Sequence, residues 1–351
     1  MNIDMVLRYS GCIDGIPLGK EAAWQNATRN DKVTVESWDK IWIGQTAQNS
    51  KTYNFSEGSA MSVFGSESGR PVILMGAGPS LAKNWADLVG DGKTNFGRRD
   101  IKIVTNVHNF PFLEDHNLMT SEDFYLILDA GDICIKEMSE GGANADNPDW
   151  YWERTACRTL VAYHGTHPEF LKKWRGKILW FTTPPASMKI AEEISKLIDI
   201  TKVPVLNVGG NVMGAALYFA RAVLGCSIPI FMGMDLSFSY NQKFHPWECW
   251  YNEKFTGVIP WIDIYGNRVW TWPSYLGFKS WFDFMACGGT GNNAQLWINA
   301  TEGGILGAYP EGNIRQIVQM DLKTALHMFN MHHLLPSLIE KSTGGQFNLL
   351  F

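Results

Sequence analysis

From residue 71 onward the chain alternates between short apolar runs and longer stretches with a helical rhythm. Apolar runs of strand length occupy 71–75 (PVILM), 101–105 (IKIVT), 124–129 (FYLILD), 159–163 (TLVAY), 177–182 (KILWFT), 203–207 (VPVLN) and 228–234 (IPIFMGM). Between several of them, apolar residues recur at i, i+3 and i+4, most clearly over 184–200 and 209–226. Continuous apolar runs suit strands buried on both faces, and strands alternating with helices form mostly parallel sheets. The pattern therefore predicts an α/β, Rossmann-like sheet with helices on both faces. Residues 1–70 are polar and rich in turn formers, which predicts an irregular N-terminal extension with little core of its own. The nucleotide-binding core is expected over 71–310, with a C-terminal helical tail over 311–351 packing on it. No internal repeat is evident.

In such sheets ligands bind beyond the carboxyl ends of the strands. That rule brings Gly76–Ser80, Asn106, Asp129, Asn207–Asn211 and Asp235 to one edge, because each follows an apolar run. In the turn Gly76-Ala77-Gly78-Pro79-Ser80, the glycines permit close approach to the backbone. Pro79 suits a first helical turn and Ser80 a helix cap. A helix starting here would aim free amides at a phosphate or diphosphate. A tight strand-to-helix turn explains the same residues without a ligand. The dinucleotide fingerprint asks for a third glycine where Leu81 stands, and for an acidic residue where Thr105 and Asn106 end the next run. The turn also lacks the Gly-Lys-Ser/Thr of a P-loop, so neither an NAD enzyme nor a P-loop NTPase is indicated. Asn106 can donate to and accept from a base or ribose, or simply close a strand-end turn.

Composition narrows the classes further. A chain of 351 residues with 45% hydrophobic and 19% charged residues is an ordinary globular protein, large enough for one α/β core with extensions. A net charge of −5 gives no bulk signal for nucleic acid. Neither a secretory signal nor an uninterrupted membrane-length apolar run is apparent. Cys12, Cys134, Cys157, Cys226, Cys249 and Cys287 show no metal-binding or framework spacing, so a reducing cytoplasm fits. Of the 15 tryptophans many lie in the C-terminal half (Trp247, Trp250, Trp261, Trp270, Trp272, Trp281 and Trp297), where they supply core mass or the wall of a site for a planar or sugar ligand.

"GAGPSL" (76–81) after a strand, with Asn106 at the next strand end, resembles the opening of two related groups. They are the motility-accessory-factor glycosyltransferases of flagellin glycosylation, whose fold is similar to that of bacterial sialyltransferases, and the archaeal 6-hydroxymethylpterin diphosphokinases. The likeness continues through "HPEFLKKWRGKILWF" (167–181), "NVGGNVMGAALYFARAVLGCSIPIFMGMDLSFS" (207–239), "KFH" (243–245), "IDIYGNRVWTWPSYLGFKSWF" (262–282) and "WINATEGG" (297–304). It spans about residues 71–325. The groups' "GGS" reads Gly209-Gly210-Asn211 here, and their "GQDL" reads Gly233-Met234-Asp235-Leu236. The chain is short for a motility-accessory factor.

The resemblance implies that Gly76, Ala77, Gly78, Pro79, Ser80 and Asn106 hold nucleotide phosphates and ribose or base. It implies a second amide-rich turn at Asn207, Gly209, Gly210 and Asn211, and places Asp235, Asn299, Thr301 and Glu302 around the acceptor or leaving group. His245, in a polar loop, is the first candidate for the base that deprotonates an acceptor hydroxyl. Asp235 and Glu302 are the candidate carboxylates beside it. Asp129 and Asp132 follow a strand; they suit a divalent cation on a diphosphate, or a turn cap. His108 is a weaker candidate beside Asn106, and His164 and His167 have no evident carboxylate partner.

Three functions follow from this reading. The first is a glycosyltransferase using a CMP- or UDP-activated sugar, nonulosonic in type, with a hydroxyl acceptor on a protein, a glycan or a small molecule. The second is a diphosphokinase passing diphosphate from ATP, with Mg²⁺, to a hydroxymethylpterin-like alcohol. The third is a nucleotide-binding protein without chemistry. None needs a permanently bound cofactor, and a homo-oligomer is compatible with each.

Overall fold

The computed structural model describes residues 12–13, 16–17, 40–91, 97–185, 188–238, 258–287, 296–310 and 312–332. Two short strands, β1 (Cys12–Ile13) and β2 (Ile16–Pro17), pair antiparallel. The main sheet begins with β3 (Pro71–Met75), β4 (Lys102–Asn106), β5 (Phe124–Ile127), β6 (Thr159–Tyr163), β7 (Lys177–Phe181) and β8 (Ile228–Met232). A hairpin, β9 (Ile259–Ile262) with β10 (Arg268–Thr271), stands apart from it. Two three-residue strands, β11 (Trp297–Asn299) and β12 (Ile317–Gln319), complete the sheet. The eight strands run in the order β12-β11-β8-β3-β4-β5-β6-β7, and every neighbouring pair is parallel.

Six of the seven apolar runs thus become sheet strands. The seventh, 203–207, makes only a single bridge from Val205 to Thr182. The sheet also reaches past residue 310, because β12 is its edge. Successive side chains on a strand face opposite sides, and β3 shows how both sides are filled. Ile73 and Met75 pack in one layer with Leu81, Phe110 and Leu322, whereas Val72 and Leu74 pack in the other with Ala215, Phe219 and Trp281. Helices cover both faces, as the continuous apolar runs require. Among the described residues no helix is long and apolar enough to cross a membrane.

The strand order reverses at β3. Chain-consecutive neighbours β4 to β7 lie on one side of it, and β8 lies on the other. A crevice opens at such a switch point, because the connections leaving the two adjacent strands depart in opposite directions.

The stretch expected to be an irregular extension carries a helix over 40–49 that docks on β6. Thr46 Oγ1 lies 2.8 Å from His164 Nδ1, and His164 Nε2 lies 3.0 Å from Thr182 Oγ1. Burial pushes His164 down to about 3, so the ring stays neutral and can donate at one nitrogen while accepting at the other. Asn49 donates to the carbonyls of His164 and Thr166, and Trp42 meets Tyr163 edge-on at 5.4 Å. Further along, the backbone at Gly58 accepts from the amide of Trp180 and so covers part of the edge strand β7.

The helix Pro273–Ala286 carries a buried ion pair that ties it to the segment 307–309. Lys279 Nζ lies 2.6 Å from Asp283 Oδ2 and 3.4 Å from the centre of the Tyr309 ring. Tyr309 donates its hydroxyl to the same carboxylate at 2.7 Å, and the Gly307 amide donates to its other oxygen at 3.1 Å. Removing one member strands a buried charge. Asp283→Ala should therefore cost about 3–5 kcal/mol in chemical denaturation. Lys279→Met combined with Asp283→Asn, which removes both charges, should cost less.

Candidate functional site

Where β3 and β8 end, their two following turns interlock. The amide of Gly76 donates to Met232 O at 2.8 Å, and that of Gly78 to Gly233 O at 2.9 Å. Ser80 donates its hydroxyl to Asp235 Oδ2 at 2.7 Å, with its amide 3.4 Å from the same oxygen. Gly78 is glycine because the turns touch: an added Cβ would lie 2.0 Å from Asp235 Oδ2. The structure departs here from the expected phosphate cradle. Ser80 does not cap the short helix Leu81–Asn84, and the glycine amides are consumed by β8. An internal carboxylate stands beside the turn, where an external anion was expected.

Asp235 is buried, and burial pushes its carboxyl up to about 6, opposed by the hydrogen bonds from Ser80 and by the charge of Lys83. Further residues of the predicted set hydrogen-bond within this junction. Thr301 Oγ1 accepts from the Met234 amide at 3.2 Å, and Asn299 Nδ2 donates to Gln319 at 2.8 Å. Glu302 Oε1 accepts from Asn84 Nδ2 and from the Leu322 amide, both at 3.0 Å, so it ties the start of the C-terminal helix to the core. Those bonds give Glu302 a structural task.

The second predicted turn is built the same way. Asn207 Oδ1 accepts from the Gly209 amide at 3.2 Å. Gly209 has φ +55°, and a Cβ there would lie 2.3 Å from the Trp281 ring; Gly210 also has positive φ. Asn211 caps the helix Val212–Tyr218 by accepting from the Gly214 amide at 3.0 Å.

Two connected cavities open over these strand ends. The larger, about 400 Å³, lies at the switch point and is walled by Gly76–Pro79, Asn211, Gly233–Ser237, Tyr275 and Phe278. The other, about 340 Å³, lies over β4 and β5 and is walled by Trp42, Leu126–Ala130 and Val107. Asn106, His108, Glu137 and Val212 line both and form their junction. Of the predicted residues, Gly76, Ala77, Gly78, Pro79, Asn106, Asn211, Asp235 and Asp129 therefore face the cavities. Ser80, Asn207, Gly209, Gly210, Asn299, Thr301, Glu302 and Asp132 do not. Asn106 Oδ1 is buried without a hydrogen-bond partner, unlike the other predicted amides.

The cavities also bring together His108, the weaker candidate of the sequence, with Glu137 and Glu140, which sequence reasoning passed over. His108, in the turn after β4, has Nε2 3.2 Å from Glu140 Oε2 and Nδ1 3.8 Å from Glu137 Oε1. Burial raises the pKa of Glu137; the charge of His108 opposes this, and Asp129 and Glu140 add to it. A Glu137/Glu140 pair three residues apart was a visible signal, but nothing in the sequence couples it to His108. Asp129 Oδ1 accepts from the Gly131 amide at 2.8 Å, and Asp132 starts the helix Ile133–Glu137 without a side-chain cap. Among the described residues no three acidic, histidine or cysteine side chains converge as a metal site. His245 lies outside the described residues.

A family model described as 6-hydroxymethylpterin diphosphokinase MptE-like matches residues 45–241. Among solved structures, a MAf glycosyltransferase from Magnetospirillum magneticum AMB-1 is similar in fold, with a TM-score of 0.53 at 12% identity. The alignment covers 88% of this chain and 44% of that one, so the chain spans less than half the neighbour's length. A search of curated proteins finds no match.

The interlock makes two outcomes checkable. Gly78→Ala should lower the melting temperature, since its Cβ has no room beside Asp235. Asp235 ionises less readily folded than unfolded, so its contribution to stability falls as pH rises from about 4 to about 6 and then levels. Asp235→Asn should remove that slope, leaving the variant on the order of 3 kcal/mol better off at pH 7 relative to pH 4 than the parent. Urea titrations of both proteins at the two pH values measure this difference.

Proposed function

The chain belongs to the 6-hydroxymethylpterin diphosphokinase MptE-like family, and from that premise we propose that it is a transferase moving a group from a nucleotide donor to a hydroxyl acceptor. The observation that carries the proposal is the crevice at the β3/β8 switch point. It is walled by side-chain-free backbone at Gly76 and Gly78, and opens onto Asn106 with its unpartnered Oδ1. A nucleotide laid along Gly76–Pro79 would set its phosphate or diphosphate against that side-chain-free backbone and a ring edge or ribose hydroxyl on Asn106.

A glycosyl donor, a CMP- or UDP-sugar, is the first reading. It is supported by the fold likeness to a protein named a glycosyltransferase, which extends over most of this chain. A second reading, diphosphate transfer from ATP, has a specific observation in its favour. The described residues lining the two cavities include four carboxylates (Asp129, Glu137, Glu140 and Asp235) and neither lysine nor arginine. Like charges repel strongly where water is scarce. A polyphosphate therefore suits this wall best when it carries a divalent cation on its own oxygens.

A thermal-shift and calorimetric panel of CMP, UDP, GDP, ADP and ATP, each with and without Mg²⁺, tests the proposal. A ligand that binds only the folded state raises the melting temperature by mass action. Preference for CMP or UDP supports glycosyl transfer, and Mg²⁺-dependent preference for ATP supports the diphosphokinase. Silence across the panel would overturn both. Asn106→Ala should weaken the nucleotide that binds about 3- to 10-fold, the worth of one neutral hydrogen bond.

A further inference from the structure

We propose that His108 is the proton acceptor of the transfer, and that the cavity over β4 and β5 holds the acceptor molecule. The inference rests on the nucleotide-donor reading of the switch-point crevice. His108 lines both cavities and stands at their junction. A base must touch both the hydroxyl it deprotonates and the space where the new bond forms. With one cavity holding the donor, the other receives the acceptor, and the imidazole stands between them.

The carboxylates around the ring suit this task. Glu140 Oε2, 3.2 Å from Nε2, fixes Nε2 as the N–H donor and so sets the ring's orientation. The proton from the acceptor hydroxyl then arrives at Nδ1, where Glu137 Oε1, 3.8 Å away, stabilises the imidazolium. Glu137 and Glu140 are positioning residues, since they act through the ring. Asp129, just after β5, and Asp235, just after β8, are the other charged groups walling the two cavities among the described residues. In the step itself, the acceptor O–H bond breaks and its electron pair forms the new bond to the donor's transferred group. The bond from that group to the nucleotide phosphate breaks, its pair leaves with the nucleotide, and the proton stays on His108 until solvent removes it.

The same walls select the acceptor. About 340 Å³ admits a small molecule or the tip of a glycan rather than a folded surface. Trp42, Leu126, Leu128 and Val212 offer apolar contact, while Asp129 and Glu137 disfavour an anion. The acceptor class is thus a hydroxyl-bearing, uncharged or cationic compound with one apolar face.

The test uses the full chain and the donor identified by the nucleotide panel, with water as a surrogate acceptor. Donor hydrolysis is followed from pH 5 to pH 9, and donor affinity is measured by calorimetry. His108→Gln should lower kcat for hydrolysis about 10²- to 10⁴-fold while donor Kd stays within about 3-fold. Glu140→Ala should lower kcat about 3- to 10-fold with donor Kd unchanged, because the ring loses the hydrogen bond that orients it. Glu140 is partly exposed, so its variant remains informative if His108→Gln fails to fold. Unchanged kcat in His108→Gln, a parallel loss of donor affinity, or unchanged kcat in Glu140→Ala would each overturn the assignment. If the wild-type protein binds no nucleotide, the transferase reading fails first and the inference falls with it. Donor bound and hydrolysed independently of His108 refutes the inference alone.

Discussion

The turns after β3, β8 and β11 can approach one another only because Gly76, Gly78, Gly233 and Gly304 carry no side chains. Gly76 and Gly78 donate to the carbonyls of Met232 and Gly233, Ser80 holds Asp235, and Thr301 holds the Met234 amide. Cβ atoms at any of the four glycines would meet backbone or Asp235 at under 2.7 Å. Because β3 and β8 diverge beyond this knot, the space above it becomes the crevice. That constraint places Gly76–Pro79 and Gly233–Ser237 along one wall of the crevice.

The knot also concentrates tension. Leu236 and Glu302 are held at positive φ close to Asp235, a conformation unfavourable for side-chain-bearing residues. Leu236 is held by Thr271, whose hydroxyl donates to its carbonyl, and Glu302 by its bonds to Asn84 and Leu322. A buried carboxyl titrating near 6 adds electrostatic cost at the same point. Strain and perturbed acidity gathered at a strand-end cleft mark it as a place selected for more than stability.

Around this centre the chemistry is divided among segments far apart in sequence. The helix over 40–49 brings Trp42, the turn after β4 brings Asn106 and His108, and the segment after β5 brings Glu137 and Glu140. The helix Pro273–Ala286, fixed by the Lys279–Asp283–Tyr309 cluster, brings Tyr275 and Phe278 to the opposite wall. The proposed transfer calls for such a division, since it brings two molecules to one point.

The sequence by itself determined the layered architecture and the edge at which the site lies. Runs such as Pro71–Met75 and Ile228–Met232 are apolar at every position, and only a strand covered on both faces buries all of them. Of the residues placed at strand ends, Gly76–Pro79, Asn106, Asp129, Asn211 and Asp235 line the cavities. Strands of three residues, β11 and β12, carry too short a pattern to be read, and their existence depends on the pairing offered by β8. Only the tertiary structure decided what each polar group does. Ser80, Thr301, Glu302 and Asn211 have the composition of ligand contacts, yet each is satisfied within the protein. The pairing of His108 with Glu140, like the presence of Trp42 in the same chamber, arises between segments that share no local periodicity. Sequence spacing records neighbours along one strand or helix, whereas a site is assembled from the ends of many.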